Sequence, residues 1–198
     1  MITKERLNAH AEWLVDNTKG ERLDLSHSNL SCSDLSHSNL SCSDLSHSDL
    51  RGSDLSHSNL RDSNLSCSDL SHSDLSCSDL SHSNLRDSNL IFSDLRGSNL
   101  RGSDLRGSDL SFSDLRGSDL RGSKGITMVL DGCYEMYLIH GDTPMIKAGC
   151  RWFTISEATA HWSAGNEAKW TKNTAAYGES QRAMLAYLVS RIGAANHG

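Results

Sequence analysis

Residues 26–45 read SHSNLSCSDLSHSNLSCSDL. Leu returns every fifth position, and from Leu25 to Leu120 it does so without a break, twenty times. A straight α-helix cannot bury this pattern. Five residues advance about 500° at 100° per residue, so successive Leu would drift round every face. A flat strand cannot bury it either, because five is odd and alternate Leu would fall on opposite sides. Only a chain that bends once per five residues keeps every Leu on one side. Each five-mer is then one wall of a closed polygon with Leu inside. The neighbouring positions agree. The residue two before each Leu is Ser nineteen times and Leu23 once, which suits a small inward position. Its hydroxyl needs a partner, such as a backbone carbonyl, or burial destabilises it. The residue before each Leu is always Asp or Asn, thirteen and seven times. Such side chains bond nearby backbone amides and support turns.

SNLSC, SDLSH and their neighbours resemble the pentapeptide-repeat pattern A(D/N)LXX, with Ser in place of Ala, over about half the chain. The resemblance implies a mainly β fold, a right-handed quadrilateral β-helix with four five-mers per turn. Twenty five-mers give about five coils and, at ~4.8 Å per coil, a rod roughly 24 Å tall. The expected organisation is an N-terminal capping helix over 1–20, the β-helix over 21–123, and a small α+β domain over 124–198. That tail broadly resembles the C-terminal domains of some phage and prophage members of the family.

A solenoid needs closed ends. Thr3 is placed to N-cap a helix running to about Lys19, with Gly20 as its C′ residue. Leu7, Ala11 and Leu14 share a face that could cover the first coil. After the repeats, ITMVL and YEMYLI flank Asp131-Gly132, a hairpin turn signal. MIKAGCRWF reads as a third strand, and TISE at 154–157 as a capping box opening a short helix with Trp162. A last helix, about 179–193, places Leu185, Leu188, Val189 and Ile192 on one face. That face is the candidate docking or homodimer surface.

The 198 residues include 36% hydrophobic and 6% aromatic side chains, with one Pro and six Cys. The charged N-terminal stretch MITKERLNAHAEWLVDN does not read as a secretory leader. No run approaches the ~18 apolar residues of a membrane span. The expectation is a soluble cytoplasmic protein with free thiols. A net charge of −6 argues against direct nucleic-acid binding.

With four five-mers per turn, residues twenty apart share a wall. One column, Asp34, Asp54, Asp74, Asp94 and Asp114, is then Asp at every coil, while the other three mix Asp and Asn. Five carboxylates about 5 Å apart resemble the charge spacing of a nucleic-acid strand. They also suit a plain solubilising turn position. Some pentapeptide-repeat proteins imitate duplex DNA and occupy DNA gyrase, conferring quinolone tolerance, so the resemblance implies a protein partner and makes gyrase a candidate. From residue 23 to 123 the block carries fifteen Asp against eight Arg, or −7, leaving +1 for the remainder. Two features depart from the gyrase type. Arg96 and Arg116 lie on the Asp wall itself. No loop interrupts the repeats, whereas the plasmid-borne resistance type projects loops; the loop-free mycobacterial type is the remaining comparison. Arg86, Arg96, Arg101, Arg106, Arg116 and Arg121 crowd the second half, and each sits two residues past an Asp or Asn, which favours local pairing over a basic binding patch.

His27, Cys32, His37, Cys42 and His47 alternate at one repeat position, but adjacent ones leave different walls. By column, His27, His47 and Cys67 stack, as do His37, His57 and Cys77. A straight ladder of at most three such residues offers in-line neighbours, not a tetrahedral zinc cage, so no metal site is expected. The block's six His could bring its charge toward −1 below pH ~6.5 without being sensors. SDLSHSNLRDSNL occurs at 53–65 and again at 78–90, an offset of twenty-five that puts the copies on different walls. A surface that must hold several ligands would not tolerate that rotation. GxGxxG, P-loop, GxSxG and HExxH patterns are all missing. Cys133, His140, Cys150 and His161 fit no zinc spacing. No catalytic residue or cofactor is expected. The reading is a non-catalytic binding protein presenting an acidic rod to a cytoplasmic macromolecule, with DNA mimicry on a type II topoisomerase as its sharpest form. The alternative is a scaffold or phage accessory module whose C-terminal domain makes the specific contact.

Overall fold

The computed structural model describes residues 2–110, 112–131, 134–139, 145–148, 151–161 and 186. The chain divides into two compact units, Met1–Gly125 and Ile126–Gly198.

The first unit is built on a twenty-residue register. Parallel bridges join each Asx to the one twenty residues on, from Asp24↔Asp44 to Asp104↔Lys124. Four five-mers therefore make one coil, and five coils run over 24–43, 44–63, 64–83, 84–103 and 104–123. Each wall has one bridged residue rather than a long strand, because two of its five residues turn the corner. Three backbone hydrogen bonds tie each wall to the next coil. On one wall of coils 2 and 3, Leu50 N–H donates to Asp69 (2.7 Å), Gly52 N–H to Ser71 (3.0 Å), and Asp69 N–H to Ser48 (2.9 Å).

The twenty Leu fill the interior, and none is more than 6% exposed. Each fully buried Leu side chain contributes roughly 1.5–3 kcal/mol. From Ser38 on, the hydroxyl of the Ser beside it donates to the carbonyl of the preceding Leu, as in Ser73 to Leu70 (2.6 Å) and Ser98 to Leu95 (2.7 Å), whereas Ser28 turns to the Ser26 carbonyl (3.5 Å). Among the described residues no buried side-chain nitrogen or oxygen lacks a hydrogen-bond partner.

The corner follows each Leu. The Ser three residues on donates its N–H back to the Leu carbonyl, as Ser53 does to Leu50 (3.1 Å). The Asx before the Leu accepts the N–H two residues on, as Asp54 does from Ser56 (2.9 Å). Between them, the second residue after every Leu has positive φ, from His27 (56°) to Gly122 (73°). A turn with a left-handed third residue admits Gly readily, some polar residues tolerably, and β-branched residues hardly at all. The twenty residues here are six Gly, six His, four Cys, two Asp and two Phe.

Helix α1 spans Lys4–Val15, with Thr3 as its N-cap accepting from Arg6 N–H (3.4 Å). It ends four residues before the expected Lys19. Asp16 stops it: its backbone is extended and its carboxylate takes the Thr18 N–H (3.1 Å) and hydroxyl (2.7 Å), a local turn that competes with helix. Gly20 does take positive φ (62°), but beyond that turn; a Cβ there would lie 2.0 Å from the Ala9 carbonyl oxygen. The buried residue of α1 is His10, with Leu7 and Leu14 half-buried and Ala11 exposed, so the expected Leu7–Ala11–Leu14 face is rotated.

In the second unit, β1 (Ile126–Asp131), β2 (Tyr134–Ile139), β3 (Met145–Ala148) and β4 (Arg151–Thr154) form an antiparallel sheet in the order β1-β2-β3-β4. The first hairpin pairs through Asp131↔Tyr134, so Asp131 is the last residue of β1. The segment read as one third strand is two, β3 and β4, paired Ala148↔Arg151. Helix α2 (Ile155–His161) opens on the expected capping box: Thr154 N–H donates to the Glu157 carboxylate (2.8 Å), and Glu157 N–H to the Thr154 hydroxyl (3.2 Å). Trp162 and the expected final helix lie outside the described residues, Ala186 excepted.

Candidate functional site: the aspartate wall

The register places Asp34, Asp54, Asp74, Asp94 and Asp114 in one column, each bridged to the next. Asp34 is exposed and the other four half-buried. All five carboxylates first serve their own corner. Asp34 accepts the Ser36 N–H (3.0 Å) and hydroxyl (2.7 Å), and these bonds, the hydroxyl's first, hold its carboxyl below the ordinary range. Asp54 and Asp74 accept from Ser56 and Ser76 N–H, each at 2.9 Å.

The lower part of the wall differs. Arg96 forks onto Asp94, and Arg116 onto Asp114 with Nη2 at 2.6 Å. The Arg96 hydrogen bonds keep the Asp94 carboxyl below its usual range, while Asp114 pushes weakly the other way. Among the described residues the upper stretch, Asp34–Asp54–Asp74, thus holds no ion pair, although Arg96 still feels the Asp74 charge, and two Asp–Arg pairs lie below it.

In two of the other three columns an amide reaches a carboxylate. Asn64 Nδ2 donates to Asp44 across one coil (3.2 Å), and Asn99 Nδ2 to Asp79 (3.1 Å). The all-Asp column contains no amide that could do this. Like charges facing one another across strands oppose folding by a few tenths of a kcal/mol or more. Local turn chemistry asks for Asp or Asn equally, so it does not account for five Asp in one column.

Arg pairing follows a simple rule. Where the residue two before is Asp, the guanidinium forks back onto it, as in Arg51–Asp49 (2.6 Å), Arg106–Asp104 (2.5 Å) and Arg121–Asp119 (2.5 Å). The Arg121 hydrogen bonds hold the Asp119 carboxyl at about 2. Where that residue is Asn the fork is lost: Arg61 turns to Asp62 (3.2 Å), and Arg86 and Arg101 make no ion pair among the described residues.

The His and Cys columns stack as the register requires. His27 and His47 lie 4.8 Å apart and His37 and His57 4.9 Å apart, nearly parallel. No group of three or more His, Cys, Asp or Glu among the described residues could hold a metal ion. Cys32, Cys42, Cys67 and Cys77 are free thiols. Their shared position is the left-handed corner. A further column was not read from the sequence: His72, Phe92 and Phe112 stack at 5.1 and 5.0 Å, with Phe92 52% and Phe112 54% exposed. The twenty-residue period alone would have revealed it. Of the remaining candidates, Leu185, Leu188, Val189 and Ile192 lie outside the described residues, as do Cys133, His140 and Cys150; His161 ends α2, its ring 5.2 Å from Phe153.

The sequence matches the pentapeptide-repeat family in eight copies, over residues 21–56, 53–90 and 83–122. The chain belongs to that family, whose solved members define the right-handed quadrilateral β-helix. A pentapeptide repeat protein, Rfr23, from the cyanobacterium Cyanothece 51142 is similar at 25% identity and a TM-score of 0.52, covering 60% of this chain and 94% of its own. One from the Arabidopsis thaliana thylakoid lumen is 24% identical with a TM-score of 0.39, covering 56% and 70%. QnrB1, a plasmid-mediated fluoroquinolone resistance protein, is 22% identical with a TM-score of 0.42, covering 53% and 63%. No curated protein matches the sequence.

Proposed function

We propose that the chain is a non-catalytic binding protein and that the aspartate wall is its recognition surface, presented to a cytoplasmic protein that ordinarily holds nucleic acid. The supporting observation is the column itself: five carboxylates aligned by the register with no intervening amide, at a position where Asn would serve the turn as well and the fold better. The coil spacing, about 4.8 Å, sets a charge repeat within the range of a nucleic-acid strand. Asp34, Asp54 and Asp74, which make no ion pair among the described residues, carry the interaction. The Asp94–Arg96 and Asp114–Arg116 pairs bound it below. A type II topoisomerase is the sharpest candidate partner. The test is DNA supercoiling by gyrase with added protein: inhibition that weakens as salt rises is expected, and no effect at a large molar excess refutes that partner.

A second reading rests on the exposed Phe92–Phe112 stack, a separate apolar strip on the rod that suits a scaffold touching more than one protein. A partner retained by residues 124–198 alone would instead locate the specific contact in the C-terminal unit.

A further inference from the structure

His10 is completely buried between α1 and the first coil. Its Nδ1 accepts the backbone N–H of Leu23 (3.0 Å), and its Nε2 meets the carbonyl of Ser41 (3.0 Å). These partners fix the tautomer. An amide can only donate, so Nδ1 is bare; a carbonyl can only accept, so Nε2 carries the hydrogen. The neutral ring thus joins α1 both to the chain entering the first wall and to the end of the first coil.

A second proton has one place to go, Nδ1, where it would face the Leu23 N–H donor to donor. The surroundings offer it no compensation. Arg22 approaches with its own positive charge, its Nε donating to the Cys42 carbonyl (2.6 Å). Arg6 donates to the Asp24 carbonyl. The Asp24 carboxylate is engaged by Ser26 N–H (2.9 Å) and faces both arginines. On α1 itself the Trp13 ring stacks on the imidazole at 5.9 Å. Cys42, Trp13, Leu14 and Asp16 line one shallow cavity at the end of α1. Among the described residues no carboxylate bonds to the ring.

We propose that His10 is a proton-operated latch: α1 is seated on the first coil while the ring is neutral and lifts away when the ring is protonated, baring the Leu23 N–H and the Ser41 and Asp24 carbonyls at the open end of the solenoid. Burial, chiefly, holds the imidazole pKa below its ordinary value; the Ser41 bond opposes this and the Arg22 charge adds to it. Because the folded value is depressed, the seat is fully stable above the unfolded value near ~6.5 and is lost as pH falls from there through the folded value.

The test is amide hydrogen exchange by NMR on the full-length protein between pH 7.5 and 5, corrected for intrinsic exchange. Leu23 reports the seat and Leu75, in the middle coil, the solenoid. Leu23 protection is expected to fall by up to about tenfold per pH unit below the unfolded value near ~6.5 and to level off beneath the folded value, with Leu75 unchanged. His10→Asn, which keeps an acceptor but cannot be protonated, is expected to show a lower protection that no longer varies with pH. Unchanged Leu23 protection down to pH 5 overturns the proposal. So does parallel loss at Leu23 and Leu75, which would mean global unfolding. A fall of wild-type size in His10→Asn would assign the effect to the stacked His27–His47 and His37–His57 pairs and overturn it equally.

Discussion

Leu75→Ala is expected to destabilise the solenoid by about 2–5 kcal/mol, in the upper part of that range. Leu75 is 0% exposed, in the middle coil, with Leu55 and Leu95 above and below it in register. The cost depends on whether neighbours can collapse into the space left. Here they cannot readily do so. Coil spacing is set by backbone bonds such as Leu75 N–H to Asp94 (2.7 Å) and Leu55 N–H to Asp74 (2.7 Å), and closing a void would break them. Leu120→Ala, in the last coil at 4% exposure, should lose less. Urea unfolding measures both, and a loss at Leu75 below about 1 kcal/mol contradicts a packed interior.

Gly52→Val is expected to destabilise by roughly 1–2 kcal/mol, and Gly52→Asn by much less. Gly52 sits at a corner with φ of 61°, and a Cβ there would meet nothing nearer than the Cys32 Sγ at 3.7 Å, an ordinary contact. The pair of variants therefore separates backbone strain from crowding. Valine is branched at Cβ and strongly disfavours positive φ, whereas Asn tolerates it. Equal losses from the two would show that the corner does not require a left-handed residue.

The inside of this protein is open to a reader of its sequence because the pattern is local and repeated. Leu at every fifth position, with Ser and Asx before it, allows one bend per five residues, and the Ser73 and Asp54 hydrogen bonds do what the residue types foretell. The Thr154–Glu157 capping box was legible for the same reason, since both partners lie within one turn. The left-handed residue of each corner had a signal too: His, Cys, Asp, Phe and Gly share that position and no β-branched residue does. His10 could not have been chosen over Leu7 and Ala11 from helical spacing. What buries it is a pair of hydrogen bonds to residues thirteen and thirty-one positions away. The expected hairpin is present, and pairing with Tyr134 makes Asp131 the last residue of β1.

The aspartate wall was legible once twenty was taken as the period. The sequence did not disclose that amides in two of the other columns reach carboxylates across a coil, a contact the all-Asp column cannot make. Removing its charge should therefore help the fold while harming recognition, an opposition expected of a surface kept for binding.

The most direct measurement compares two triple variants with equal charge change in the gyrase supercoiling assay. Asp34→Asn, Asp54→Asn and Asp74→Asn together empty the unpaired part of one wall; Asp44→Asn, Asp69→Asn and Asp79→Asn remove the same charge from the three other walls. Inhibition lost in the first and retained in the second is the predicted result. Equal inhibition in both variants, or equal loss, contradicts the aspartate wall as the recognition surface.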